Sequence, residues 1–437
     1  MRKLLVGKLA VVCLLAVACG DDVSPFPVAP AENDPAFEVT GLKSYLLVGN
    51  ALTPGTDEQQ LSVSYIGDEG AAPGKVELWL DGAGPTTLTR AQGSFTHTLD
   101  IAALSIGNHE ILLSADGAAT AFARVTFDRG HPLYIITTTD WDAADMRASS
   151  IQYQHQLHTN HPELLLTHFV GPYTFTDPAL TDARRTVLAD FVKEMRDTHG
   201  DEIGLHIHPY CNFVNTTTVP CRTEPSLAYT AGDTTGYTIV LASYTRSEFL
   251  TLLQAADALF ATWGLGKPTS FRAGGWSAEI HTLQALADNG FVADTSANNW
   301  RRMEEWMALP GTSLYAWNMT HWSTINDTSQ PYYPSEADIQ APGTPALKIL
   351  EVPDNSIMVD YVTAPEMIDI FNANWPRGAL AQPTQVSIGF HPAPGLTAED
   401  FERLDAIMTE YDKYLASAGS GPVVYANLSD MVLVWPQ

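Results

Sequence analysis

Four short motifs hold side chains able to bind a metal or move a proton: TTTDWD with Asp140 and Asp142, GLHIHP with His206 and His208, FRAGG with Arg272, and GFHP with His391. Two carboxylates two residues apart on an extended end point to the same side, so one can bind a cation while its neighbour takes a proton from water. Such acids can equally cap a following helix. The His-x-His spacing places both imidazoles on one face of a strand, where they can converge on one ion. With one carboxylate they leave coordination positions open for water and substrate, a composition suited to Zn²⁺ and open to other divalent metals. Arg272 offers a guanidinium that can hold an aspartate in its ionised form, or form an ordinary structural ion pair. His391 is a candidate general acid because imidazole changes charge near neutral pH; a histidine bonded to a neighbouring loop is the alternative.

These motifs sit at the ends of segments that read as strands. After residue 130 the runs LYIITTTD, ELLLTHFV, EIGLHIHP, PTSFRAGG, FVADTS, LKILEVP, QVSIGFHP and PVVYANL are rich in β-branched and apolar residues. Amphipathic stretches at 182–199, 246–263, 279–289, 364–374 and 398–416 lie between several of them. Alternation of this kind predicts parallel strands surrounded by helices, a (β/α) barrel over 131–437 with its chemistry at the C-terminal strand ends. Residues 211–245 and 300–345 read as long loops able to rim a site. Before residue 130 the pattern differs. Over 37–129, runs such as LSVSYI, KVELWLDG, FTHTLDI and HEILLSADG alternate apolar and polar residues between turn-rich pieces, predicting an antiparallel sandwich of about seven strands. The chain is therefore multidomain.

The 437 residues carry 50 acids against 23 bases, a net charge of −27 that disfavours nucleic acid and anionic membrane surfaces and leaves neutral or amino-bearing ligands compatible. Arg2, Lys3 and Lys8 precede an apolar run too short to span a bilayer, which ends at Cys19, so 1–19 reads as an export signal. The stretch 20–36, rich in Pro, Asp and Ala, reads as a flexible linker. Cys211 and Cys221 then remain for the folded part, and in an oxidising compartment they are expected to pair, contributing roughly 2–3 kcal/mol.

Taken in order, TTDWD, EIGLHIHP, FRAGGW, DTS and FHP resemble the polysaccharide deacetylase family over residues 131–437. The resemblance implies a distorted (β/α) barrel that uses a divalent metal, here expected to be Zn²⁺, to remove acetyl groups from a polysaccharide or peptidoglycan-type glycan. It implies Asp140 as catalytic base, Asp142, His206 and His208 as metal ligands, Arg272 as the brace of the base, and His391 as the acid that protonates the leaving group. Two features depart from the family pattern: its histidines usually stand four apart, and its arginine motif usually holds a proline and an aromatic where this chain has glycines and Trp276. LAVAC is similar to a bacterial lipoprotein signal, implying lipidation at Cys19, a cell-envelope location and membrane contact through the lipid alone. The segment 37–129 resembles bacterial Ig-like modules. Trp141, Tyr210, Trp276 and Trp300 are candidates for stacking on sugar rings, and His168, at a strand end, is a reserve ligand.

Other readings stay open. A metal-dependent amidohydrolase would also use His-x-His, although on its first strand. A metal-free glycosidase would need two carboxylates across the sugar, for which Glu279, Asp294 and Glu351 are available. A non-catalytic glycan-binding or adhesion protein would need neither.

Overall fold

The computed structural model describes residues 26–437. The signal 1–19, with Cys19, and the first part of the linker lie outside the described residues. Two compact units divide the described residues: those up to Thr40, Ser62–His97 and Glu110–Val125 form the first, and Gly41–Leu61, Thr98–His109 and Thr126–Gln437 the second.

Among the described residues, nine short strands precede residue 131: β1 (Phe37–Thr40), β2 (Tyr45–Leu47), β3 (Glu58–Tyr65), β4 (Val76–Leu80), β5 (Ala83–Thr87), β6 (Thr89–Ala91), β7 (Ser94–Asp100), β8 (Gly107–Ala115) and β9 (Ala123–Gly130). Within the first unit, β1 pairs with β3, β6 with β7, and β4 with both β5 and β8, all antiparallel. Leu61 and Val63 of β3 are buried two residues apart, as expected of a strand with one face on a core. More strands are present than the seven read from sequence. β5 and β6 are exposed throughout and lack apolar alternation, so periodicity does not reveal them.

In the second unit, eight parallel strands line up: β10 (Leu133–Trp141), β11 (Leu166–Val170), β12 (Glu202–Ile207), β13 (Ser270–Ala273), β14 (Ala293–Asp294), β15 (Leu350–Glu351), β16 (Thr384–Ala393) and β17 (Val423–Tyr425). Their order is β15-β14-β13-β12-β11-β10-β16, with β17 also beside β10. β10 is buried along its whole length, which suits its run of Ile and Thr to a parallel strand covered on both faces. Between the strands run α1 (Ala148–Asn160), α2 (Asp182–His199), α3 (Cys211–Val214), α4 (Arg246–Trp263), α5 (Ile280–Asn289), α6 (Leu314–His321), α7 (Ala364–Asn374) and α8 (Ala398–Asp412), and α9 (Met431–Val434) follows the last strand. Thr245 with Glu248, Thr363 with Glu366 and Thr397 with Asp400 make capping boxes that start α4, α7 and α8 where the chain leaves a loop.

The strands and the five amphipathic helices stand close to where periodicity places them. α1 escapes that reading because its buried side is Ser150, Gln154, Leu157 and His158, with little apolar contrast to detect. The two long loops are not featureless either: they hold α3 and α6 and a 3₁₀ stretch at Trp300–Ala308. No described helix is long and apolar enough to cross a membrane.

The barrel closes through a parallel bridge between Met358 and Gly389 of β16. A Cβ on Gly389 would lie 2.9 Å from Thr138 Oγ1 and from Met358 Cε, and nearer still to Met358 Sδ. Gly389→Ala is therefore expected to destabilise the barrel by about 1–3 kcal/mol, read as a lower denaturant midpoint at unchanged m-value.

Candidate metal centre and active site

Strand alternation sorts the residues at the end of β10. Thr138 and Asp140 point inward with Arg272, while Trp141, only 1% exposed, packs into the hydrophobic layer on the other side. Trp141 is thus not a sugar-stacking residue, because it lies between two inward-facing acids and must face away from them. His168 also faces outward, bonded to Thr139 and, together with His158, to Asp201. It takes no place in the site.

Arg272 of β13 has no exposed surface and is held from several sides. Its Nη1 donates to Asp140 Oδ1 at 3.0 Å and to Thr138 Oγ1 at 2.8 Å, its Nε donates to the Thr295 carbonyl, and its Nη2 lies 3.1 Å from Asp354 Oδ2. Asp354 also accepts a bond from Trp276 Nε1. Burial pushes the Asp354 carboxyl up, against the pull of Arg272. Deeper in the barrel, burial, aided by the charge of Asp294, drives Glu351 well above the usual carboxylate range. Asp294 and Glu351 have no exposed surface and do not line the cavity beside the site, and Glu279 is bonded to His321. The three acids available to a glycosidase therefore do not face one another across a sugar-sized space.

The two histidines are oriented by backbone carbonyls. His206 Nδ1 donates to the Arg272 carbonyl at 2.9 Å, and His208 Nδ1 to the Tyr237 carbonyl at 2.8 Å. In the neutral tautomer each Nε2 then carries a lone pair, and both lone pairs aim at one carboxylate oxygen. His206 Nε2 lies 3.1 Å and His208 Nε2 3.3 Å from Asp142 Oδ1. His208 Nε2 is buried without a hydrogen-bond partner. Three acceptors facing one another repel unless a cation sits among them, so this donor set fits a divalent metal of the kind bound by His₂-carboxylate sites. The two-residue histidine spacing is compatible with convergence because both rings stand on one face at the end of β12. Glycine makes room: a Cβ on Gly274 would lie 2.6 Å from His208 Nδ1, so the ring occupies space that a larger residue in the arginine motif would fill.

Asp142 is only partly exposed, and burial alone would raise its carboxyl; with no ion among them, His208, His391 and His206 in their protonated forms would instead hold it well below the ordinary value. His391 sits across the mouth, with Nε2 3.8 Å from Asp142 Oδ2 and Nδ1 bonded to Asp360. Burial opposes its charge, yet Asp360 and Asp142 carry it up to about 10. Asp360 is a site residue that sequence reasoning missed. It lies in the connection after β15, outside any periodic element.

A cavity of about 90 Å³ opens onto Asp140, Asp142, His206, His208 and His391. Its walls include Trp276, as anticipated, together with Tyr229, Tyr361 and Trp306, which were not. Tyr210 does not line it: its hydroxyl donates to the Asp142 carbonyl at 3.0 Å, bracing the strand end. Trp300 does not line it either and lies under Arg301. Cys211 and Cys221 form a disulfide with a Cα separation of 5.3 Å, next to Gly236 of the loop that carries Tyr237.

No protein-family model and no curated protein sequence matches this chain. Solved structures with a similar fold include a candidate polysaccharide deacetylase from Mycobacterium smegmatis, at 14% identity and TM-score 0.41 over 70% of this chain and 91% of that one. A candidate glycoside hydrolase/deacetylase from Parabacteroides distasonis shares 12% identity, with TM-score 0.42 over 69% of this chain and 70% of its own. A family 4 carbohydrate esterase from Streptomyces lividans, solved with acetate, shares 12% identity, with TM-score 0.32 over 67% and 91% of the two chains. Scores this low leave the chemistry resting on the geometry of the site itself.

Removing the guanidinium would leave Asp140 and Asp354 buried beside each other without a counter-charge. Arg272→Met is expected to cost about 3–5 kcal/mol of unfolding free energy in urea titrations.

Proposed function

We propose that this chain is a metal-dependent hydrolase that removes acetyl groups from a polysaccharide or cell-wall glycan. The observation that carries the reading is the convergence of His206 Nε2, His208 Nε2 and Asp142 Oδ1 beside a small cavity that also exposes Asp140 and His391. The ordered resemblance of the motifs to polysaccharide deacetylases gives the class of reaction, and the size of the cavity suits a short acyl group. By ligand composition the proposed ion is Zn²⁺.

His206, His208 and Asp142 would hold the ion, which when bound polarises a carbonyl and makes a neighbouring water more acidic. Asp140 takes the proton from the attacking water, and Arg272 fixes the direction in which the carboxylate faces. His391, with Nδ1 bonded to Asp360, delivers a proton to the departing amine or alcohol from the other side of the mouth. Asp360 holds the Nδ1 side of that ring and leaves Nε2 toward the site. Trp276, Tyr229 and Tyr361 exclude water around the acyl group.

The setting belongs to the same reading. Cys19 anchors the exported protein to the cell envelope through lipid, the β module before residue 131 is an Ig-like spacer, and the partner is an acetylated glycan. Nucleic acid is disfavoured by the charge of −27.

Elemental analysis of the signal-free protein is expected to find about one equivalent of divalent metal. His206→Ala and His208→Ala should each lose it together with acetate release from acetylated glycans. A protein that takes up no metal after reconstitution would refute the reading. Asp360→Asn should keep the metal and slow acetate release roughly 10²-fold, the scale of a lost acid catalyst.

A further inference from the structure

Tyr237 lies in the connection between α3 and α4 and meets the proposed metal centre in three ways. Its hydroxyl donates to Asp142 Oδ2 at 2.7 Å. Its carbonyl accepts from His208 Nδ1 at 2.8 Å, and its ring stacks on the His208 imidazole with centroids 4.2 Å apart. Two of the three ligands thus lean on one residue.

The loop that brings Tyr237 in is held on both sides. Asp233 accepts from the backbone N–H groups of Thr235 and Thr238 and from both threonine hydroxyls. The backbone N–H of Cys211 donates to the Thr235 carbonyl at 2.7 Å, and Cys211 is itself tied to Cys221. A carboxylate whose second oxygen is taken by a phenol offers the first oxygen alone to an ion.

We infer that Tyr237 is a positioning residue of the metal centre, which limits Asp142 to a one-oxygen ligand and fixes the direction of His208 Nε2. The inference rests on the metal-centre reading above. Keeping Asp142 to one oxygen leaves positions open on the ion for water and substrate, whereas a carboxylate free to chelate with both oxygens would fill one of them.

Tyr237→Phe keeps the ring, the carbonyl and the loop, and removes the hydroxyl alone. The metal-free variant should melt where the metal-free parent does. Competition titration with Zn²⁺ should show a 10–100-fold weaker Kd, the scale found when groups that orient metal ligands are lost. The visible absorption of the Co²⁺-loaded variant should change as Asp142 turns to bind through both oxygens. A parent that binds Zn²⁺ and a variant with the same Kd and Co²⁺ spectrum would overturn this inference and leave the metal centre standing. A parent that binds neither ion would remove both.

Discussion

A guanidinium with no exposed surface must be neutralised where it lies, and the groups that neutralise Arg272 are those around which the site is built. Placing such a charge in the barrel is costly unless every donor finds a partner. Asp140 and Asp354 supply the counter-charge, and Thr138 and the Thr295 carbonyl take further donors. The main chain of the same residue accepts the His206 Nδ1 proton, so the arginine that orients the base also sets the tautomer of a ligand. Through Asp354 it reaches Trp276 on the cavity wall. A base, a ligand and a wall thus share one electrostatic anchor.

Residues at strand ends were legible in the sequence because the two-residue repeat of a strand decides which side chains share a face. Asp140 with Asp142, and His206 with His208, follow from that repeat alone, and the register between His206 and Arg272 brings β12 and β13 together as the motifs require. The same rule excludes Trp141, which a reading by residue type had put among the stacking candidates. What stayed hidden comes from connections. Asp360, Tyr237 and Tyr361 lie in segments without periodicity and Trp306 in the 3₁₀ stretch of a long loop, where partners are set by the path of the backbone. The glycines of FRAGGW were visible, but their reason was not: only the packed ring of His208 shows what Gly274 makes room for.

Strands and loops divide the work in a way that bears on rigidity. The proposed ligands and base stand at strand ends of the barrel, while the groups that touch them arrive from loops held by local bonds, the Asp233 turn and the disulfide among them. The proposed proton donor has an intermediate standing: His391 belongs to β16, and its partner Asp360 to a loop. Substitutions in these loops can change the chemistry while leaving the barrel core untouched.

The cavity beside Asp142, His206 and His208 is small, about 90 Å³, with room for a few waters. On the proposed function, the glycan would remain outside and extend its acyl group inward past Trp276 and Tyr361. On the proposed function, selection at such an opening would act on protrusion: two glycans with different rings but equally prominent acyl groups would present the same outline to the site, and one whose acyl group lies flat against its neighbours would escape it.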